Sequence, residues 1–246
     1  MSEYPILQFD LGNSSLKVRW IRGRDGRELF TCRYHEFTDS WLRQFPVSSW
    51  EGIKAQISSV VSDQKSSEVI STLKRVGVKK IFVAKVLQDF EGLHLCYEDC
   101  AKLGVDRWLV MLAAAQLSSS FCVFDFGTAI TADVVTKERK HLGGYIIPGR
   151  RLMSESLGMN TAQVGVHPGV DNSEFSLGTC TRDCVNQGIN RMVSGFLEEM
   201  RKLGAQLNID NLIFTGGDVD WIQRQPGDIF SRELLFDGLS IAAGNL

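Results

Sequence analysis

One short pattern occurs twice in this chain of 246 residues, and it constrains the fold more than anything else in the sequence. Ile6-Leu7-Gln8-Phe9-Asp10 is an apolar run ending in an acid, followed by Leu11-Gly12-Asn13-Ser14-Ser15 and then by Leu16-Lys17-Val18-Arg19-Trp20, where apolar and charged residues alternate. Such a series reads as strand, tight turn, strand. Phe121-Cys122-Val123-Phe124-Asp125 repeats the apolar run and its acid, Phe126-Gly127-Thr128-Ala129 repeats the glycine turn, and residues 130–135 continue as a strand. A further strand is expected after each pair, over residues 28–34 and 145–147. Two halves that each open with a three-stranded meander imply an internal duplication, with two α/β domains at 1–118 and 119–246 divided near Ser118-Ser119-Ser120.

The remaining elements are read from periodicity. Ile53, Ile57, Val60 and Val61 have helical spacing, and residues 80–86 read as a strand. Asp106 is placed to cap a helix over 107–117. A long amphipathic helix runs from Thr181 to Leu203 and is expected to stop at Gly204. Residues 211–214 form a strand that ends in Thr215-Gly216-Gly217.

Charge argues against several partner classes. The chain carries 27 basic and 29 acidic residues, and Glu138 interrupts its densest cationic run, Lys137 to Lys140. Nucleic-acid grooves and polybasic membrane anchors need a larger excess, so neither nucleic acid nor membrane is an expected partner. No signal-like segment or 18-residue apolar run is present, and a cytoplasmic location is expected. The six cysteines show no Cys-x-x-Cys spacing and read as free thiols.

The repeated turns carry the chemistry. A glycine between two strands lets backbone N–H groups approach an anion, and Asn13, Ser14, Ser15 and Lys17 add donors and a positive charge. Asp10 would repel a phosphate and makes sense beside a cation or a water. From this segment alone, a plain Asx-type turn with a surface lysine stays open. The second turn, with Asp125 and Thr128, shifts the balance, because two such turns facing each other across a cleft would clamp a polyphosphate and its cation. Gly216 and Gly217 offer a close-approach site for a nucleoside. P-loop and Rossmann glycine signatures are absent. Asp133 reads equally as a water-mediated cation contact or a turn cap, while His94 and His141 read as structural and Trp108 as core.

Taken in order, Asp10-x-Gly12-Asn13-x-x-x-Lys17, then Leu103-Gly104-Val105-Asp106-Arg107-Trp108, then Asp125-x-Gly127-Thr128-Ala129-x-Thr131-x-Asp133, then Gly143-Gly144-x-Ile146-x-Pro148-Gly149, resemble the type III pantothenate kinases. These belong to the superfamily of acetate and sugar kinases, heat-shock chaperones and actin. The resemblance implies two duplicated ribonuclease H-like (actin-like ATPase) domains, each a mixed five-stranded sheet with flanking helices. It implies transfer of the ATP γ-phosphoryl to pantothenate, giving 4′-phosphopantothenate, the first step of coenzyme A biosynthesis.

Site roles follow from the same resemblance. Asp10, Leu11, Gly12, Asn13, Ser14, Ser15, Leu16, Lys17, Thr128, Gly216 and Gly217 would contact ATP. Tyr97, Gly104, Val105, Asp106, Arg107 and Thr181 would hold pantothenate, with Asp106 as the base, and Asp125 would bind a monovalent cation, K+ or NH4+. Mg2+ would arrive with ATP. The resemblance also implies a homodimer whose substrate pocket is completed near the subunit interface. It is weak over residues 158–174, and Ser14 stands where threonine is common, which keeps the hydroxyl.

Overall fold

A computed structural model describes residues 5–23, 26–47, 49–160 and 176–244. The chain divides into two compact units. The first comprises Met1–Gln88, Tyr97–Ala113 and Leu234–Leu246, and the second Asp89–Cys96 and Ala114–Glu233. A single cut at residue 118 would miss two excursions: residues 89–96 lie with the second unit, and the last helix lies with the first.

In the first unit, β1 (Ile6–Leu11), β2 (Leu16–Arg22) and β3 (Gly26–Cys32) form the antiparallel meander. After the short α1 (Asp39–Leu42), β4 (Lys54–Ser59) pairs parallel with β1. After α2 (Asp63–Val76), β5 (Lys80–Val83) extends the sheet, giving the order β3-β2-β1-β4-β5. The helix expected around Ile53 and Ile57 is therefore β4. Its neighbours on both sides bury Ala55, Gln56, Ile57 and Ser58 alike, and a strand covered on both faces loses the polar alternation that would reveal it.

The second unit begins with the hairpin β6 (Asp89–Phe90) and β7 (Leu93–His94). The chain then returns to the first unit for α3 (Val105–Ala114) before β8 (Phe121–Phe126), β9 (Ala129–Val135) and β10 (His141–Pro148) form the second meander. The helices α4 (Arg150–Asn160) and α5 (Thr181–Gln206) lead into β11 (Asn211–Thr215) and β12 (Ile229–Phe230). The sheet order is β10-β9-β8-β11-β12. Strand for strand this is the order of the first sheet, so each unit has the mixed five-stranded sheet expected of a duplicated α/β fold. Phe124, Phe214 and Phe230 stack across β8, β11 and β12, with centroids 5.1 and 4.8 Å apart.

Two helix ends differ from the sequence reading. The helix after Leu103 starts at Val105, not Arg107, and the Gly104 carbonyl accepts from the Trp108 N–H at 3.2 Å, so Asp106 lies within the first turn and is not the cap. Helix α5 passes through Gly204 to Gln206; Gly204 is buried, where a residue without a side chain packs beside Ile209 and Leu212.

The closing helix, α6 (Leu234–Ala243), packs on β1 and β4. A buried polar chain fastens it there. Gln8 Nε2 donates to Gln56 Oε1 at 2.6 Å, to Ser240 Oγ at 2.8 Å and to the Phe236 carbonyl at 3.1 Å. Arg19 donates to Gln8 Oε1 and to Asp237 Oδ1, both at 2.6 Å. Such groups are worth burying only when satisfied, so the chain specifies where α6 must sit.

Candidate active site

The two acids of the repeated motif occupy equivalent places. Asp10 is the fifth of six residues in β1, and Asp125 the fifth of six in β8. Each is on the central strand of its sheet, one residue before the strand ends. Asp10 is buried and lies opposite Lys17 in the β1–β2 register, where opposite charges stabilise the pair of strands. The turn between them is closed by the Gly12 N–H donating to the Ser15 carbonyl at 3.2 Å, with Asn13 and Ser14 exposed at its tip.

Tyr34, which sequence reading did not single out, braces this turn. Its hydroxyl donates to the Gly12 carbonyl at 2.8 Å, and the Lys65 Nζ lies 5.0 Å from the centre of its ring. Burial first, and then the nearby charges of Asp10 and Cys32, push the phenol up to about 12. Tyr34 should therefore ionise late in an alkaline absorbance titration, near pH 12, and Tyr34→Phe should remove that step. The unfolded chain releases the same proton near pH ~10. The phenol's contribution to stability is thus present below that pH and lost as pH rises toward 12.

The second turn is tighter. The Gly127 N–H donates to the Ala129 carbonyl at 3.0 Å, and Thr128 is exposed. The start of α4 closes on it: the Gly149 N–H donates to the Thr128 carbonyl at 2.9 Å, and a Cβ at 149 would fall 2.2 Å from the Gly127 oxygen. Asp125 pairs in register with Thr131 on one side and Thr215 on the other. Gly216, at φ +103°, passes so close that a Cβ would lie 2.4 Å from Asp125 Oδ1 and 2.3 Å from the Phe126 carbonyl oxygen. Only glycine fits there; the Phe126 carbonyl accepts from the Asp218 N–H at 3.0 Å, and Gly217 is exposed.

Back in the first unit, the start of α3 gathers a third group. Asp106 Oδ1 accepts from the Arg107 N–H at 2.8 Å and folds back over Gly104, where a Cβ would meet it at 2.4 Å. Arg107 is buried and donates to the Tyr97 hydroxyl at 3.1 Å. Tyr97, Gly104, Asp106 and Arg107 are therefore neighbours, while Val105 points into the core. Thr181 is the exposed first residue of α5, in the second unit. Residues 161–174 of the weakly matching segment lie outside the described residues.

Asp133 is neither a turn cap nor a surface group. It is buried in the middle of β9, and its Oδ1 is 3.0 Å from Nε2 of the fully buried His141. His94 pairs with Asp89 on the exposed hairpin, and Trp108 is core. Among the described residues, no group of three or more His, Cys, Asp or Glu side chains could hold a metal ion, and no helix is long and apolar enough to cross a membrane.

The profile of the family described as Type III pantothenate kinase matches residues 6–202. The chain belongs to the type III pantothenate kinase family. This family phosphorylates pantothenate in coenzyme A biosynthesis. Type III pantothenate kinases of Hahella chejuensis and Pseudomonas paraeruginosa are 34% and 32% identical to it. The first alignment covers 96% of both chains, and the second 96% of this chain and 98% of the other. Solved structures agree on the fold. A putative Baf family transcriptional activator from Campylobacter jejuni superposes with a TM-score of 0.59 at 20% identity, over 96% of each chain. MreB5 of Spiroplasma citri bound to ADP superposes with a TM-score of 0.52 at 8% identity, over 98% of this chain and 96% of that one. The actin-like ATPase architecture implied by the repeated turns is thus the architecture of this pantothenate kinase family member.

Proposed function

We propose that this pantothenate kinase family member is a working phosphotransferase whose acceptor site is built on the first turn of α3. Pantothenate offers a carboxylate and a primary alcohol. The planar fork of Arg107 would take the carboxylate, with the Tyr97 hydroxyl holding the guanidinium in place. Asp106 would orient the alcohol and receive its proton as the phosphoryl group arrives; Gly104, Val105 and Thr181 would complete the contacts. The helix N-terminus favours the ionised form that this role needs. The observation that carries the reading is the meeting of Tyr97, Gly104, Asp106 and Arg107 at one helix start.

ATP would be held by backbone and side-chain donors of Asp10–Lys17 and by Thr128, Gly216 and Gly217, with Mg2+ arriving on the phosphates and keeping most of its waters. Phosphoryl transfer passes through a loose transition state, so the protein acts by positioning and by neutralising charge. Asp125 would bind the monovalent cation. The Asp125 carboxylate is a hard oxygen donor at the end of the central strand, a kind of group that suits potassium or ammonium.

A homodimer acting in the cytoplasm completes the proposal. The edge strand β10 exposes Leu142, Tyr145 and Ile146, apolar side chains on a sheet edge of the kind a second copy covers. The test is a coupled ADP-release assay. Turnover should require pantothenate and should rise when potassium replaces sodium. Purified protein that binds ATP yet releases no ADP with pantothenate and potassium would overturn the reading.

A further inference from the structure

Outside the residues assigned to nucleotide or pantothenate, the second unit holds a thiol, an imidazole and a carboxylate in series. Cys96 is exposed, and its Sγ lies 3.6 Å from His141 Nδ1. On the far side of the ring, His141 Nε2 lies 3.0 Å from Asp133 Oδ1. Both His141 and Asp133 are buried. With Asp133 accepting from Nε2–H, Nδ1 carries the ring's lone pair. That tautomer turns the lone pair of Nδ1 toward the thiol. The same order of groups, a nucleophile, a base and an acid that orients the base, activates nucleophiles on unrelated folds.

The other cysteines are placed differently. Cys32 and Cys122 are buried, and burial pushes both thiols up. Cys184 donates to the Gly178 carbonyl at 3.3 Å, Cys100 to the Val86 carbonyl at 3.9 Å, and Cys180 precedes α5. Gly143, at φ +119°, passes beside Cys96: a Cβ there would lie 3.9 Å from the sulfur.

We propose that Cys96, His141 and Asp133 form a reactive-thiol site at which Cys96 is modified by low-molecular-weight disulfides. The Sγ–H proton passes to His141 Nδ1, and the thiolate attacks one sulfur of R–S–S–R. A bond forms between Cys96 Sγ and that sulfur, and the S–S bond of the small disulfide breaks. The departing RS⁻ leaves with the electron pair and takes the proton back from the imidazolium as RSH. Cys96 is oxidised to the mixed disulfide, and the leaving sulfur is reduced.

The test is a time course with 2-hydroxyethyl disulfide, a neutral probe, read by peptide mass spectrometry with fragmentation that assigns each sulfur. In the folded protein Cys96 should react about tenfold or more faster than Cys180 and Cys184. In urea the three rates should converge. His141→Gln should abolish the advantage of Cys96 while leaving the rate at Cys184 unchanged, and the buried Cys32 and Cys122 should stay unreactive, which reports that the variant is folded. Equal native rates in the unsubstituted protein overturn the proposal, whatever the variant does. A folded His141→Gln protein that keeps a fast Cys96 overturns the role of the imidazole.

Discussion

Asp106→Asn is expected to lower pantothenate-dependent ADP release by about 10²–10⁴-fold while leaving ATP binding unchanged. The substitution is close to isosteric. An asparagine oxygen can still accept from the Arg107 N–H, now at 2.8 Å from the carboxylate, so the helix start and the Arg107–Tyr97 contact are preserved. What disappears is the negative charge and the capacity to take a proton. The measurement pairs a coupled ADP assay with nucleotide titration of the same protein. Turnover like that of the unsubstituted enzyme would remove Asp106 from the base role and leave it a structural residue of α3.

Gly238→Val should produce the largest loss of stability. A Cβ at 238 would lie 1.9 Å from the Leu109 carbonyl oxygen and 2.5 Å from its carbon, so α6 crosses α3 in backbone contact. Those atoms belong to a helix backbone and cannot rotate away. A better helix former at 238 gains at most about 1 kcal/mol of propensity over glycine. Overpacking costs about 3 kcal/mol or more and wins. For a chain of this size the melting temperature should fall by about 6–12 °C. Trp20, Trp41, Trp50 and Trp108 lie in the first unit and Trp221 in the second, so tryptophan fluorescence reports chiefly the affected unit. An unchanged melt would show that α6 can shift without cost.

The meanders were legible because alternation and glycine turns are local signals. Residues 6–22 and 121–135 carry them without interference from the rest of the chain. β4 was not, because its two-sided burial erased the alternation and left Ile53 and Ile57 at a helical interval. The return of α6 to the first unit depends on Gln8 and Arg19 meeting Phe236, Asp237 and Ser240, contacts more than 200 residues apart that no window of sequence contains. At the site, the motif positions were legible as residue types. Tyr34 was invisible because its role arises only when the loop after β3 folds back onto Gly12. Asp133 looked like a polar residue at a turn, and only the strand pairing of β9 with β10 brings His141 against it.

The interrupted path of the chain also bears on its birth at the ribosome. Translation normally lets the earlier module mature first. Here Ala114–Glu233 emerge entire before Leu234–Ala243, so the later module can settle while the earlier one still lacks its final helix. During that interval the amide of Gln8 and the guanidinium of Arg19 await the partners that α6 will bring, so the buried polar chain of the first module is completed only when the last helix is made.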